Sequence, residues 1–290
     1  MNAQKKSIKQ PTNTPEDFTR ISDKLTIKWD RPKEEIWQQM VSGLARESQK
    51  QAITIGYRPA LQWAIAAMFV LIFSISGVMR FYTTTFITRQ AEHQLVTLPD
   101  GSTVQLNAES KITVHPYWWR FSRQLAFEGE AFFKVEKGRK FTVASTNGTT
   151  QVLGTSFNIY ARENSYRVAC LSGKVRVTDP EKKHETIIKA NQKAEWLDGS
   201  FQVRNMVAEN ETAWINNQFI FTATPIREVF REIERQYAIS IQYEESLSLT
   251  YSGNFSKTQT PEQVLAYVCR PFSLNFEQIK PGQFRVSQNK

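Results

Sequence analysis

The stretch that decides the architecture is Pro59-Ala60-Leu61-Gln62-Trp63-Ala64-Ile65-Ala66-Ala67-Met68-Phe69-Val70-Leu71-Ile72-Phe73-Ser74-Ile75-Ser76-Gly77-Val78-Met79, which carries no charged residue between Arg58 and Arg80. As a helix rising ~1.5 Å per residue, residues 59–79 span about 30 Å, the thickness of a bilayer's hydrocarbon core. Ile65, Met68, Phe69, Leu71, Ile72, Phe73 and Ile75 leave no polar side, unlike the one-sided apolar stripe of a helix in a soluble domain. Tyr57 and Trp63 near one end, with Phe81 and Tyr82 at the other, suit aromatic anchoring at both interfaces. About sixty residues precede the run, which argues against a cleaved signal peptide. The sequence therefore predicts a single-pass membrane protein with two unequal pieces in two compartments.

Arg46, Lys50 and Arg58 flank the span on its N-terminal side, against Arg80 and Arg89 on the other, with no further cation until Lys111. This small bias favours a cytoplasmic N-terminus and an exported C-terminus. The chain has 290 residues and a formal net charge of +9. Its basic residues are scattered among acidic ones rather than gathered on one patch, which argues against nucleic-acid binding. Cys170 and Cys269 both sit among apolar neighbours. An oxidising compartment leaves a disulfide open, but two buried thiols in separate units are the favoured expectation.

On the short side, residues 1–58, the first twenty are polar and lysine-rich and are expected to be disordered. Leu25, Ile27 and Trp29 alternate with polar residues, as in an extended segment. A helix of about 15 residues is expected from Pro32, a residue suited to the first helical position, with Glu34 and Glu35 in its first turn. Ile36, Trp37, Met40, Val41 and Leu44 recur on one face. No core is available in so short a segment to cover this stripe. The membrane surface, a self-associated bundle, or a groove on a cytoplasmic protein are the candidate partners, with Trp29 and Trp37 as aromatic anchors.

On the long side, short alternating runs are separated by Asp100-Gly101, Asn147-Gly148, Ser172-Gly173 and Asp198-Gly199. Such spacing predicts hairpins and an all-β domain over 95–207, either a sandwich or a short solenoid. The expected strands are 103–106, 125–127, 131–135, 140–143, 151–153, 157–160, 166–171 and 174–178. Phe132, Val135, Phe141, Val143, Val152, Phe157, Ile159, Val168, Val175 and Val177 are the expected core. Residues 80–94 are expected to be a linker. Over 213–290 the pattern changes to a small α+β domain, with helices opening at Thr224-Pro225 and Thr260-Pro261. Expected strands there are 219–221, 239–243, 250–255, 274–278 and 283–286. A free sheet edge in such a module can accept a partner's strand.

His93, His115 and His184 stand far apart without metal-ligand spacing, no phosphate-binding glycine loop or nucleophile elbow is present, and no cofactor is expected. The pairs Glu128/Glu130 and Glu244/Glu245 flank turns as solvated charge. One dipeptide leaves room for chemistry. In a strained turn the Thr155 hydroxyl would be positioned to attack the Gly154 carbonyl; the alternative is a glycine that only supplies an unusual backbone angle.

Leu98-Pro99-Asp100-Gly101-Ser102, Val104, Leu106-Asn107 and Ser110 resemble the opening motif of the FecR family's periplasmic domain. Arg123, Gly129-Glu130-Ala131-Phe132-Phe133, Val135, Phe141, Val143, Val152-Leu153-Gly154-Thr155, Phe157-Asn158-Ile159, Leu171, Gly173, Val175 and Val177 continue the likeness in order. The last segment is similar to the small C-terminal domain of such proteins, itself similar to the short N-terminal domains of secretins and TonB-dependent receptors. There are departures: Asn217 stands where a Gly often ends a turn, and 189–194 lacks a Pro-Gly. The resemblance implies a transmembrane anti-sigma factor of the inner membrane. Its residues 1–58 would hold an extracytoplasmic-function sigma factor. Its periplasmic part would receive a signal from the signalling domain of a TonB-dependent outer-membrane transporter. Gly154-Thr155 would match a self-cleavage point found in some members. A membrane-anchored envelope adaptor without sigma binding is the alternative.

Overall fold

The computed structural model describes residues 30–47, 59–244 and 247–288. The expectations over 1–20, at Leu25, Ile27 and Trp29, and at Tyr57 and Arg58 lie outside those residues. The chain divides into two units, Met1–Ala67 and Met68–Lys290, with the boundary inside the apolar helix.

In the first unit, helix α1 (Lys33–Glu47) has Glu34 and Glu35 in its first turn, where carboxylates offset the partial positive charge of the helix N-terminus. Glu35 N donates to the Pro32 carbonyl, so Pro32 sits just before the helix rather than within it. Helix α2 (Pro59–Phe81) is 23 residues long. Among the described residues it is the one helix long and apolar enough to cross a membrane, and none of that span is buried inside the protein.

After the C-terminal part of α2, the second unit carries thirteen strands: β1 (Thr84–Thr88), β2 (Gln94–Thr97), β3 (Thr103–Leu106), β4 (Ser110–Val114), β5 (Arg123–Lys134), β6 (Phe141–Ser145), β7 (Gly148–Val152), β8 (Ser156–Arg162), β9 (Ser165–Ser172), β10 (Lys174–Thr178), β11 (Glu185–Lys189), β12 (Gln192–Leu197) and β13 (Ser200–Asn205). They form two layers that share β5. Its first half pairs with β4 and, in parallel, with β6; its second half pairs with β3 and β8. The first layer runs β1-β4-β5-β6-β7-β10-β11 and the second β2-β3-β5-β8-β9-β12-β13. One apolar core lies between them, so the sandwich is observed rather than the solenoid.

Gly129 is the corner at which β5 passes from one layer to the other. Its φ is +110, and a Cβ there would lie 2.4 Å from Ser110 Oγ and 2.6 Å from Ser110 Cα. Only glycine combines that backbone angle with that approach. Ser172-Gly173 is a second corner and not the expected hairpin turn, because β9 and β10 belong to different layers. The other three turn dipeptides join paired neighbours, β2–β3, β6–β7 and β12–β13.

Two further expectations change. Residues 84–88 are not linker: they form β1, an edge strand antiparallel to β4 with Thr84 opposite Val114. In β5 the odd-numbered positions face the core, so Phe133 is buried and Phe132 is not part of that core. A one-residue change of parity moves a side chain to the opposite face of a strand, and Phe132 packs instead against the second module. Phe133 stacks on Phe157 with ring centroids 5.1 Å apart.

Arg123 ties the opening motif to β5. It pairs with Asp100, and its Nη1 donates to the Arg139 carbonyl at 2.8 Å. Burial pushes the Asp100 carboxyl up, but the Arg123 and Ser102 bonds outweigh it and hold the group below its ordinary value.

A short helix α3 (Ala208–Glu211) and a 3₁₀ turn (Ala213–Asn216) lead to the second module: β14 (Gln218–Pro225), α4 (Ile226–Tyr237), β15 (Ser240–Gln242), β16 (Thr250–Ser256), α5 (Pro261–Cys269), β17 (Leu274–Lys280) and β18 (Gln283–Gln288). β14 pairs with β16, and β15-β18-β17 form a second small sheet. Asn217 takes the left-handed angle at φ +57, a conformation Asn tolerates. Thr260 caps α5 through a capping box with Gln263. At the earlier helix Thr224 and Pro225 are the last two residues of β14 instead, and α4 starts at Ile226 without a side-chain cap. Cys170 and Cys269 are both free and buried, each in its own core. Burial pushes their thiols up to about 11 and about 12.

Candidate functional site

Three features of the described residues bear on function: the stripe on α1, the polar joint between the two modules of the second unit, and the Gly154-Thr155 corner. The stripe is open. Trp37, Met40, Val41 and Leu44 are exposed, Leu44 by 66% and Trp37 by 63%, while Ile36 is half-buried. Their spacing places them on one side of a 15-residue helix. Trp29, the remaining expected anchor, lies outside the described residues.

The joint was not anticipated from the sequence. The polar face of α4 is buried against the sandwich. Gln236 is fully buried, and Glu232 and Arg235 nearly so. Gln236 Nε2 donates to Asn107 Oδ1 and to Glu232 Oε1, both at 2.8 Å. With both amide hydrogens used, its Oε1 must accept, so His93 Nε2, 3.0 Å away, carries the proton. Glu130 takes bonds from Asn107 Nδ2 at 2.8 Å and Asn158 Nδ2 at 2.9 Å, and Trp214 Nε1 donates to Asn158 Oδ1. Around this centre, Arg235 bonds Glu232 at 2.9 Å, Arg167 bonds Glu228 at 3.1 Å, and Arg231 pairs with Glu163.

Electrostatics divides the group. Burial, reinforced by the nearby Glu232 carboxylate, pushes Glu130 above its ordinary value against the pull of Arg162 and its two amide donors. Burial and then Lys257 push His93 below its ordinary value. Glu130 lies at the edge of a cleft of about 600 Å³ whose walls include Arg167, Glu195, Trp214, Glu228 and all eight residues of β14. Among the described residues β14 pairs with β16 alone, so its other edge carries no strand.

Gly154 and Thr155 form the passage from β7 to β8, again between layers. Gly154 has φ +150, and a Cβ would lie 2.7 Å from Lys137 Cα. Thr155 is buried and its Oγ1 has no hydrogen-bond partner. An unpaired buried hydroxyl is costly and keeps its lone pairs available. Among the described residues no group of three His, Cys, Asp or Glu side chains is placed to hold a metal ion.

The family model described as FecR protein matches residues 84–176, and that described as FecR, C-terminal matches residues 218–286. Together they cover more than half of the chain. Two crystal structures of a candidate anti-sigma factor from Parabacteroides distasonis are similar to it. One covers 72% of this chain and all of its own at 26% identity with a TM-score of 0.67; the other covers 71% and all of its own at 26% identity with a TM-score of 0.66. No curated protein matches. The motifs, the two matched segments and these structural relatives agree: the chain belongs to the FecR family of anti-sigma regulators.

Proposed function

We propose that this regulator spans the inner membrane once through α2, with its N-terminus in the cytoplasm and its sandwich and C-terminal module in the periplasm. Residues 1–58 bind an extracytoplasmic-function sigma factor, and Trp29, Ile36, Trp37, Met40, Val41 and Leu44 supply the contact. The observation that carries this reading is the uncovered stripe on α1, in which aromatic and aliphatic anchors are exposed on a helix too short to be stable alone in water. A groove on a partner covers such a face. The test is retention of a purified sigma factor by membranes carrying the full chain. Loss of retention on deleting residues 1–50 supports the reading. Unchanged retention and unchanged reporter output favour the envelope adaptor.

The C-terminal module, which we take to be similar to the short N-terminal domains of secretins and TonB-dependent receptors, receives the signal from the signalling domain of a TonB-dependent transporter. The edge of β14 that carries no strand, along the cleft, supports strand addition as the mode of contact.

The Gly154-Thr155 corner favours a self-cleavage step beside this regulatory role. Thr155 Oγ attacks the Gly154 carbonyl, the C–N bond breaks, and the hydroxyl proton passes to the departing amine. Water then hydrolyses the ester to a Gly154 carboxylate and restores the Thr155 hydroxyl.

A further inference from the structure

We propose that residues 115–122, the loop between β4 and β5, form a membrane-surface anchor that seats the sandwich on the anionic phospholipid headgroups of the bilayer entered by α2. The inference rests on the membrane reading above and adds a second point of lipid contact to it.

The loop is His115-Pro116-Tyr117-Trp118-Trp119-Arg120-Phe121-Ser122. Its two tryptophans do different things. Trp119 is buried and meets Phe141 edge-on in the core, with centroids 5.7 Å apart. That insertion fixes the loop and turns its neighbours outward. Tyr117 is 55% exposed and Phe121 63% exposed. The backbone is closed on itself by bonds from Phe121 N and Ser122 N to the Trp118 carbonyl, at 2.9 and 3.1 Å. The exposed rings are therefore presented by a braced turn.

These rings lie against the end of the membrane helix. The Arg80 guanidinium sits 5.4 Å from the Trp118 ring centre, Tyr82 and Tyr117 are 5.2 Å apart, and Trp118 and Phe121 are 4.7 Å apart. A 23-residue helix is ~34 Å long, slightly more than a ~30 Å hydrocarbon core. Arg80, Phe81 and Tyr82 then fall at the headgroup level, and the loop packed on them falls there too. Amphipathic aromatic rings partition to this zone.

Charge identifies the lipid. Beside Phe121 opens a groove of about 600 Å³ lined by Arg139, Lys140 and Lys182, with Glu185 as its one carboxylate. Arg120 is exposed next to it. Cations beside interfacial aromatics favour a surface of anionic headgroups. A protein partner at this patch is the competing occupant, and the experiment separates the two.

The full chain is reconstituted in nanodiscs of phosphatidylcholine, with and without phosphatidylglycerol. Its two native thiols are buried, so single exposed cysteines can be spin-labelled at Phe121→Cys, Phe73→Cys and Glu262→Cys. Collision with oxygen reports lipid, and collision with a water-soluble nickel chelate reports solvent. The expected result is an oxygen-to-nickel ratio at Phe121 between those of Phe73 in the span and Glu262 on α5. It should rise with phosphatidylglycerol, and the Arg139→Glu/Lys140→Glu variant should lose that rise. A Phe121 label that matches Glu262, or that is shielded from both reagents by protein, overturns the proposal while a lipid-exposed Phe73 leaves the anchor reading intact. A Phe73 label open to nickel overturns both.

Discussion

Gln236 and Asn107, 129 residues apart in sequence, are joined side chain to side chain at 2.8 Å. Through that contact the last turn of α4 is fixed to the turn that follows β3. Gln236 satisfies three partners at once: Asn107, Glu232 and His93. Replacing it with leucine keeps much of the volume and removes all three bonds, while Asn107 keeps its bonds to Ala108 N and Glu130 and Glu232 keeps its bond from Arg235. Each buried polar group left without a partner costs about 1–3 kcal/mol. The Gln236→Leu chain is expected to melt at lower temperature, and hydrogen exchange is expected to speed up in α4 and at residues 107–110. An unchanged melting curve would show that the joint carries no stability.

The same joint should respond to pH from both sides. His93 titrates below its ordinary 6.5 when folded, so its contribution is present above that value and is lost as pH falls through the folded value. Glu130 titrates above its ordinary 4.5, so its contribution is complete below 4.5 and is lost as pH rises through the folded value. The two slopes oppose each other. Between about pH 7 and about pH 5, where an imidazole gains its proton, the His93→Gln chain should lose less stability than the native chain. Equal losses in a melting series would remove His93 from the account.

Thr155 offers a sharper test, because its hydroxyl is buried without a partner. Thr155→Val removes the hydroxyl at nearly constant shape and relieves an unpaired polar atom, so stability should hold or rise. Any scission between Gly154 and Thr155 should stop. Thr155→Ser keeps a nucleophile and should keep the cut. Denaturing gels of freshly made and aged protein decide this: a cut that survives in the valine variant excludes attack by this hydroxyl.

Much of this architecture is local and so was legible. The apolar run needs only length and composition, and the alternating runs expose most strands. The position of Phe132 was misread because adjacent phenylalanines carry no mark of which faces the core, and here the outward one is also covered, by the second module. The Ser172-Gly173 corner looks like any hairpin turn until the pairing of β9 and β10 is known. The joint was invisible for a deeper reason. Asn107, Glu130, His93 and Gln236 are ordinary surface residue types, and only long-range pairing brings them together. The one available signal was Gln236 and Glu232 beside the apolar positions of α4, four residues apart on one helix face.

The stripe on α1 makes the last prediction. Trp37 and Leu44 are its most exposed large side chains, and the helix containing them lies in a different unit from the sandwich. Removing both should not change how the second unit folds. Centrally placed aromatic anchors cost ~2 kcal/mol or more on truncation, which is roughly a thirtyfold loss of affinity. A Trp37→Ala/Leu44→Ala chain is therefore expected to reach the membrane in normal amount yet release the sigma factor, read as altered output from a sigma-dependent reporter and as lost retention on membranes. A single Met40→Ala change should weaken retention less, since a flexible thioether gives up less contact than an indole. Normal retention by the double variant would move the contact to another part of residues 1–58, away from this face of α1.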